Sequence, residues 1–213
     1  MVKYNFPRYQ IELEISEDIY YPAEDTFFLI ESINLKNHHH LIVEVGGGSG
    51  IISIILAQKN PKARFIVTDL SLKSTKTIKT NCIINKVESQ IDAVCMNKMQ
   101  SFRLFSPDLI IWNPPYLPID EDNTSLPYAE KIMLFGGKNG YEEIYSLIQY
   151  IKNNKIKTKL ITLFSSLAWD INMLKMFQRD GINAEIINEE KLFFEKLYLV
   201  KFDFSDNDED KRD

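Results

Sequence analysis

The stretch LIVEVGGGSGIISIILAQK, residues 41–59, decides the fold. Leu41–Val45 is a short run of branched apolar residues, the pattern of a strand buried on both faces. A glycine loop then leads into Gly50–Lys59, which reads as a helix. Moving outward, Arg64–Thr68, Ile91–Met96, Leu109–Trp112 and Leu160–Phe164 repeat the strand pattern. Amphipathic helical stretches fall among them at Leu72–Asn85, Tyr141–Asn153 and Ala168–Asp180. Upstream, Gln10–Ile15 alternates like a half-exposed strand and Ala23–Ile33 has a helical pattern. Ile182–Ile187 and Lys196–Phe204 follow at the end, with Glu189-Glu190-Lys191 between them and no room for a helix. A closing antiparallel hairpin is expected. Repeated βα units predict a three-layer, Rossmann-like α/β fold: a seven-stranded, mostly parallel sheet that takes its ligands at the strand C-termini.

With 213 residues, 45% of them hydrophobic, the chain has room for one full core. The expected organisation is an N-terminal extension over residues 1–17, one domain over 18–204 and an acidic, disordered tail over 205–213. The tail supplies −3 of the formal net charge of −5. No lysine-arginine block gives the basic footprint that phosphate-backbone binding needs, so direct nucleic-acid binding is not expected. Met1–Tyr20 has no charged-then-apolar leader pattern. The longest uncharged apolar stretches, such as Ile51–Ala57, fall far short of the ~20 residues of a membrane span. A cytoplasmic location and no membrane contact are expected. Cys82 and Cys95 form no CxxC pair and read as buried free thiols, and His38-His39-His40 reads as a solvated loop, so no metal site is expected.

The glycine loop, Glu44-Val45-Gly46-Gly47-Gly48-Ser49-Gly50, brings backbone close to a ligand and exposes the N–H groups at a helix start. Its spacing is G-x-G-x-G with an acid two residues before it, not the G-x-G-x-x-G of dinucleotide sites. An acid there suits a ligand with an ammonium group and no phosphate, a description that fits S-adenosyl-L-methionine. About twenty residues on, Asp69 ends the second core strand, where an acid accepts from ribose hydroxyls; capping of the next helix is its alternative role. Asn97, at the end of the third strand, is a candidate acceptor for the adenine amino group. The fourth strand ends in Asn113-Pro114-Pro115-Tyr116. Both prolines lack an N–H, so this turn presents acceptors beside an amide side chain, which suits an NH2 group that must be held.

With the acid and G-x-G-x-G, then Asp69, then Asn-Pro-Pro-Tyr, the chain resembles the class I methyltransferases. More narrowly, it resembles the HemK-like glutamine methyltransferases of peptide-chain release factors. Tyr21-Pro22-Ala23-Glu24-Asp25-Thr26 is similar to the Y-x-P-x-E-D-T signature of the archaeal and eukaryotic branch. Gly136-Gly137-Lys138-Asn139-Gly140 matches the G-G-x-x-G element after the Asn-Pro-Pro-Tyr loop, and Asn97 stands where the family usually has Asp. The resemblance covers roughly residues 18–204; the extra N-terminal helical domain of the bacterial members is not expected here.

The resemblance implies transfer of a methyl group from S-adenosyl-L-methionine to the side-chain amide nitrogen of the glutamine in a class I release factor's Gly-Gly-Gln loop. It implies that Asn113 and the Pro114 carbonyl accept the two amide hydrogens and that Tyr116 walls the pocket. For the cofactor it implies Tyr21, Glu24, Thr26, Glu44, Gly46, Gly48, Gly50, Asp69, Leu70, Asn97, Lys98 and Asn113. Glu24 with Asp25 has a structural alternative, an acid pair meeting free N–H groups at a helix start. The resemblance further implies a small zinc-binding activator, paired as a heterodimer through the edge strand 91–96. Two other classes stay open at this point. The same Asn-Pro-Pro-aromatic loop serves exocyclic amines of adenine or guanine in RNA or DNA, and a non-catalytic cofactor-binding scaffold would keep the fold without the turnover.

Overall fold

The computed structural model describes residues 1–36, 38–102, 106–119, 126–169 and 172–205. The expected core strands are all present: β3 (Leu41–Val45), β4 (Arg64–Asp69), β5 (Ile91–Cys95), β6 (Leu109–Trp112) and β7 (Lys159–Ser165). With β8 (Asn183–Lys191) and β9 (Lys196–Asp203) they form one seven-stranded sheet in the order β5-β4-β3-β6-β7-β9-β8. The five strands from β5 to β7 run parallel, and β9 lies antiparallel between β7 and β8. The closing hairpin is longer than its sequence pattern suggests. β8 runs on through Glu189-Glu190-Lys191 after a register shift between Ile186 and Asn188.

Side chains alternate across the sheet with the period of two that a pleated strand imposes. Ile42, Leu109 and Ile111 join one apolar cluster, and Val43, Val45, Ile110 and Trp112 join the other. The first cluster is covered by α1 (Glu24–Ser32), α2 (Ile51–Lys59) and α3 (Leu72–Ile84). The second is covered by α5 (Glu142–Asn153) and α6 (Asn172–Arg179). Helix α5 shows why it docks: Ile144, Leu147, Ile148 and Ile151 recur on one helical face and all are buried. α6 begins later than its pattern suggested, and positions 170–171 lie outside the described residues. The short α4 (Tyr128–Leu134), which the apolar pattern did not announce, follows the Asn-Pro-Pro-Tyr turn.

Near the N-terminus β2 (Ile11–Ile15) pairs antiparallel with β1 (Val2–Phe6), a partner the sequence pattern did not reveal. Ile11, Leu13 and Ile15 face the core. The other edge of β2 is met by two asparagines acting in place of a strand, Asn81 in α3 and Asn85 at its C-cap. Asn81 Oδ1 accepts from Glu14 N (2.8 Å) while its Nδ2 donates to Glu14 O (3.0 Å) and to Ser49 O (2.9 Å). Asn85 repeats the pattern on Glu12 (3.1 Å and 2.7 Å). Through Ser49 this clamp also holds the glycine loop. Cys82 is buried, but Cys95 is exposed because β5 is a sheet edge. No helix among the described residues is long and apolar enough to cross a membrane. Residues 206–213 of the acidic tail lie outside the described residues.

Candidate functional site

The C-terminal ends of β3, β4, β5 and β6 open into one cavity of ≈ 1040 Å³. That is at the upper end of the ~300–1,000 Å³ of ligand sites, room for a nucleoside-sized molecule and an acceptor side chain together. Of the residues singled out in the sequence, Thr26, Glu44, Gly46, Gly48, Asp69, Leu70, Asn97, Lys98, Asn113, Pro114 and Tyr116 line it. Tyr21, Glu24 and Gly50 do not. Tyr21 is half exposed and packs its ring against Tyr4 and Phe6. Glu24 starts α1 facing solvent, and Gly50 sits behind the loop against Ile78.

Asp25, one residue past Glu24, is the buried acid of the pair, 4% exposed. Its Oδ1 accepts from the Tyr20 hydroxyl (3.0 Å), the Thr26 amide (2.7 Å) and the Thr26 hydroxyl (3.2 Å). Its Oδ2 accepts from Asn113 Nδ2 (2.9 Å). A carboxylate only accepts, so the amide nitrogen of Asn113 is the atom that must face it. The second hydrogen on that nitrogen is directed at Thr26 Oγ1 (3.3 Å). Both N–H bonds are thereby used, and Asn113 Oδ1 is left as a buried acceptor with no partner among the described residues. Leaving such an atom unsatisfied costs ~1–3 kcal/mol, which a bound donor recovers. Asp25 and Tyr20 were not singled out as site residues from the sequence. The signal lay in the Glu24-Asp25-Thr26 triplet, but composition does not say which acid turns inward.

Tyr116 forms the neighbouring wall. Burial, and then the nearby Asp25 and Glu195, push its hydroxyl well above the ordinary tyrosine range, so it stays neutral. Tyr20 is held neutral in the same way, by burial and then by Asp25. Glu195, between β8 and β9, also lines the cavity and accepts from the Ser165 hydroxyl. The sequence reading passed over it because it lies in a turn far from every motif.

The Asn-Pro-Pro-Tyr turn is held from behind by Gly136-Gly137-Lys138-Asn139-Gly140. Gly136 N donates to Leu117 O and Ile119 N donates to Gly137 O (both 3.0 Å). A Cβ on Gly136 would sit 2.2 Å from Gly140 O and 2.5 Å from Pro115 O, and one on Gly140 (φ +86°) would sit 2.5 Å from Tyr116 O. Both obstacles are backbone, which cannot swing aside. Gly136→Ala should therefore displace the turn, lowering kcat by about 10²-fold, the effect of an ångström-scale misplacement. Steady-state kinetics beside a thermal melt would check this, because the melt separates a shifted turn from general unfolding.

Glu44, 1% exposed, spends Oε2 on the amide (3.0 Å) and hydroxyl of Ser53 in the first turn of α2. Its Oε1 is buried without a partner among the described residues. Burial pushes its carboxyl up to about 7, against the lowering effect of the Ser53 bonds and with a further push from Asp69. Asp69 accepts from Gly48 N (2.9 Å) and Ser71 N (2.8 Å). Ser71, not Asp69, is the N-cap of α3, so the free lone pairs of Asp69 are available to the cavity. In the loop itself, Gly47 has its Cβ position 2.1 Å from Val67 Cγ1, so only glycine lets this backbone lie against β4. Lys98 is committed elsewhere, paired with Glu143 and 5.7 Å over the Trp112 ring.

Comparison with known proteins bears on the family and the fold. The methyltransferase small domain family matches residues 24–133. A putative protein N5-glutamine methyltransferase of Methanocaldococcus jannaschii is 31% identical over 200 residues, which is 89% of this chain and 94% of that protein. Among solved structures, E. cuniculi Mtq2, from the Mtq2–Trm112 complex that methylates the termination factor eRF1, superposes with a TM-score of 0.59 at 21% identity, covering 87% of this chain and 98% of that one. Human METTL16 is similar in two structures. Its N-terminal domain with SAH gives TM-score 0.67 at 12% identity, covering 93% and 77% of the two chains, and its catalytic domain with the MAT2A 3'UTR hairpin 1 gives 0.70 at 16%, covering 93% and 76%. At these identities the solved structures speak to fold alone.

Proposed function

The chain belongs to the methyltransferase small-domain family, and within it to the HemK-like glutamine methyltransferases; from that premise we propose a mechanism for methylating the glutamine amide of a class I release factor's Gly-Gly-Gln loop. The enzyme is a protein-(glutamine) N-methyltransferase that uses S-adenosyl-L-methionine. One observation carries the mechanism: Asn113 Oδ1 is a buried acceptor without a partner among the described residues, and its orientation is dictated by Asp25 and Thr26.

The cavity fits the cofactor. Glu44 Oε1 is an unsatisfied acceptor suited to an ammonium group, Asp69 has lone pairs for ribose hydroxyls, and the Gly46–Gly48 backbone leaves room beside them. Bound there, S-adenosyl-L-methionine supplies an electrophilic methyl group on a sulfonium. The protein's part is to place the acceptor. An amide nitrogen is a poor nucleophile because its lone pair is delocalised into the carbonyl. Asn113 Oδ1 and the Pro114 carbonyl accept the two amide hydrogens and so fix the nitrogen's direction. Holding reactants in line in this way can supply ~7–11 kcal/mol of a barrier. Tyr116 closes the wall, and its neutral ring would favour a sulfonium held against its face by ~0.5–2 kcal/mol. After transfer the N-methylated amide is acidic enough to lose its extra proton to water.

The test is methyl transfer from labelled cofactor to an intact class I release factor, with the modified residue located by mass spectrometry. Label on the Gly-Gly-Gln glutamine supports the mechanism's premise; label on RNA or DNA alone moves the enzyme to the exocyclic-amine class. That second reading draws on the turn itself and on the likeness to a hairpin-bound methyltransferase. The net charge of −5 and the lack of a lysine-arginine block weigh against it.

A partner reading belongs here too. β5 is the bare edge of the sheet and carries only one charge, Asp92. Exposed edges invite strand addition, and the similar Mtq2 was solved with Trm112. We place a small zinc-binding activator on 91–96, in a cytoplasmic heterodimer. Full activity and good solubility of the chain alone would overturn that.

The Glu44 carboxyl gives a pH prediction. Its folded value of about 7 lies above the ordinary range of an exposed glutamate. In the ligand-free protein its contribution to stability is present below the unfolded value and lost as pH rises through about 7. An ammonium beside Oε1 stabilises the charged form instead. Cofactor affinity should therefore rise as pH passes through about 7, and Glu44→Gln should flatten that rise. Calorimetric titration across this range checks it.

A further inference from the structure

The three most exposed large hydrophobic side chains among the described residues are Phe193 (92%), Phe194 (85%) and Tyr128 (78%). They are not scattered. Tyr128 lines the cavity mouth, and so does Glu195, the residue after the phenylalanine pair. The pair sits at the β8–β9 tip, whose turn is fixed by Leu192 N donating to Glu195 O (2.8 Å) and by the Ser165–Glu195 bond. The two rings meet edge to face with centroids 4.6 Å apart. A small acceptor entering the cavity would need nothing from this tip, while exposed aromatics beside a site mark contact with a larger partner.

We propose that Phe193 and Phe194, together with the exposed Tyr128 that lines the same cavity as Glu195, form the docking surface for the folded protein substrate, gripping an apolar patch on it while its glutamine enters the cavity. This rests on the glutamine methyltransferase reading and extends it to substrate recognition. Charge favours a protein over a nucleic acid. The hairpin from Asn183 to Asp203 carries five acids against three lysines, and two of those lysines are paired, Lys196 with Glu189 and Lys201 with Glu185. Aromatic rings that stack bases work beside a basic groove, which this tip lacks.

The experiment compares wild type with Phe193→Ser/Phe194→Ser, each co-expressed with the small activator, on two acceptors, the intact class I release factor and a short peptide carrying only its Gly-Gly-Gln loop. The expected result is a KM for the intact factor raised about tenfold or more, as for loss of an aromatic hot spot, with kcat and the peptide kinetics unchanged. Unchanged peptide kinetics also report that the variant is folded; should the double variant fail there, Phe193→Ala serves in its place. An unaltered KM for the intact factor overturns the docking role and leaves the chemistry standing. Altered binding to anionic phospholipid vesicles with an unaltered KM overturns it too, assigning the tip to a membrane surface. Wild type that methylates neither acceptor overturns the parent reading and the docking role together, and is told apart because it appears without any substitution.

Discussion

Asn113→Ala is expected to lower methyl transfer by at least ~10³-fold, the scale of removing one preorganised polar group at a reacting centre, while cofactor affinity stays nearly intact. The asymmetry follows from the geometry. In the proposed mechanism Asn113 meets the acceptor through Oδ1, which has no partner among the described residues, whereas the ends of the cavity suited to the ammonium and ribose groups are built by Glu44 and Asp69 on β3 and β4. Deleting the amide removes the acceptor for one substrate hydrogen and leaves those carboxylates untouched. Single-turnover kinetics beside a direct cofactor titration measures both halves. A large loss of cofactor affinity, or retained turnover, would sink the role given to Asn113.

How legible was this in the sequence? Strands β3, β4, β6 and β7 announce themselves because each is built around buried branched or aromatic apolar residues, unbroken in β6 and interrupted only by Glu44 in β3, Thr68 in β4 and Thr162 in β7. The glycine loop and the Asn-Pro-Pro-Tyr turn were legible for a different reason: their residue types are forced by backbone geometry. What stayed hidden depends on side-chain direction or on polar pairing. Asn81 and Asn85 look like ordinary polar positions on a helix, yet they hold the edge of β2. Glu24 and Asp25 are equally good acids for a helix start. About 100° of helical rotation sends one to water and the other under the Asn-Pro-Pro-Tyr turn, and composition is blind to that angle. The glycines after the turn were recognisable as a motif, but their purpose, letting two backbone segments touch at Pro115 and Tyr116, appears only in three dimensions.

Asp25→Asn should separate positioning from binding. The carboxylate accepts four hydrogen bonds through two oxygens. An amide in its place has one oxygen for those donors, and its NH2 meets either the Thr26 amide or the Asn113 nitrogen, donor against donor. Asn113 then loses the contact that forbids it to turn over. Once flipped, it would present N–H groups to the substrate amide, repelling the hydrogens that Oδ1 should accept. The expected result is a kcat lower by about 10²-fold, as for a misaligned reacting group, with KM and cofactor affinity little changed. Stability should fall by about 1–3 kcal/mol from the stranded donors. Because a merely structural role would move the melting temperature and leave kcat per folded enzyme alone, the two measurements must be made on the same preparation. Full kcat in a destabilised Asp25→Asn protein would show that Asn113 keeps its orientation without the carboxylate, and the mechanism would then have to find that orientation in Thr26 Oγ1 alone.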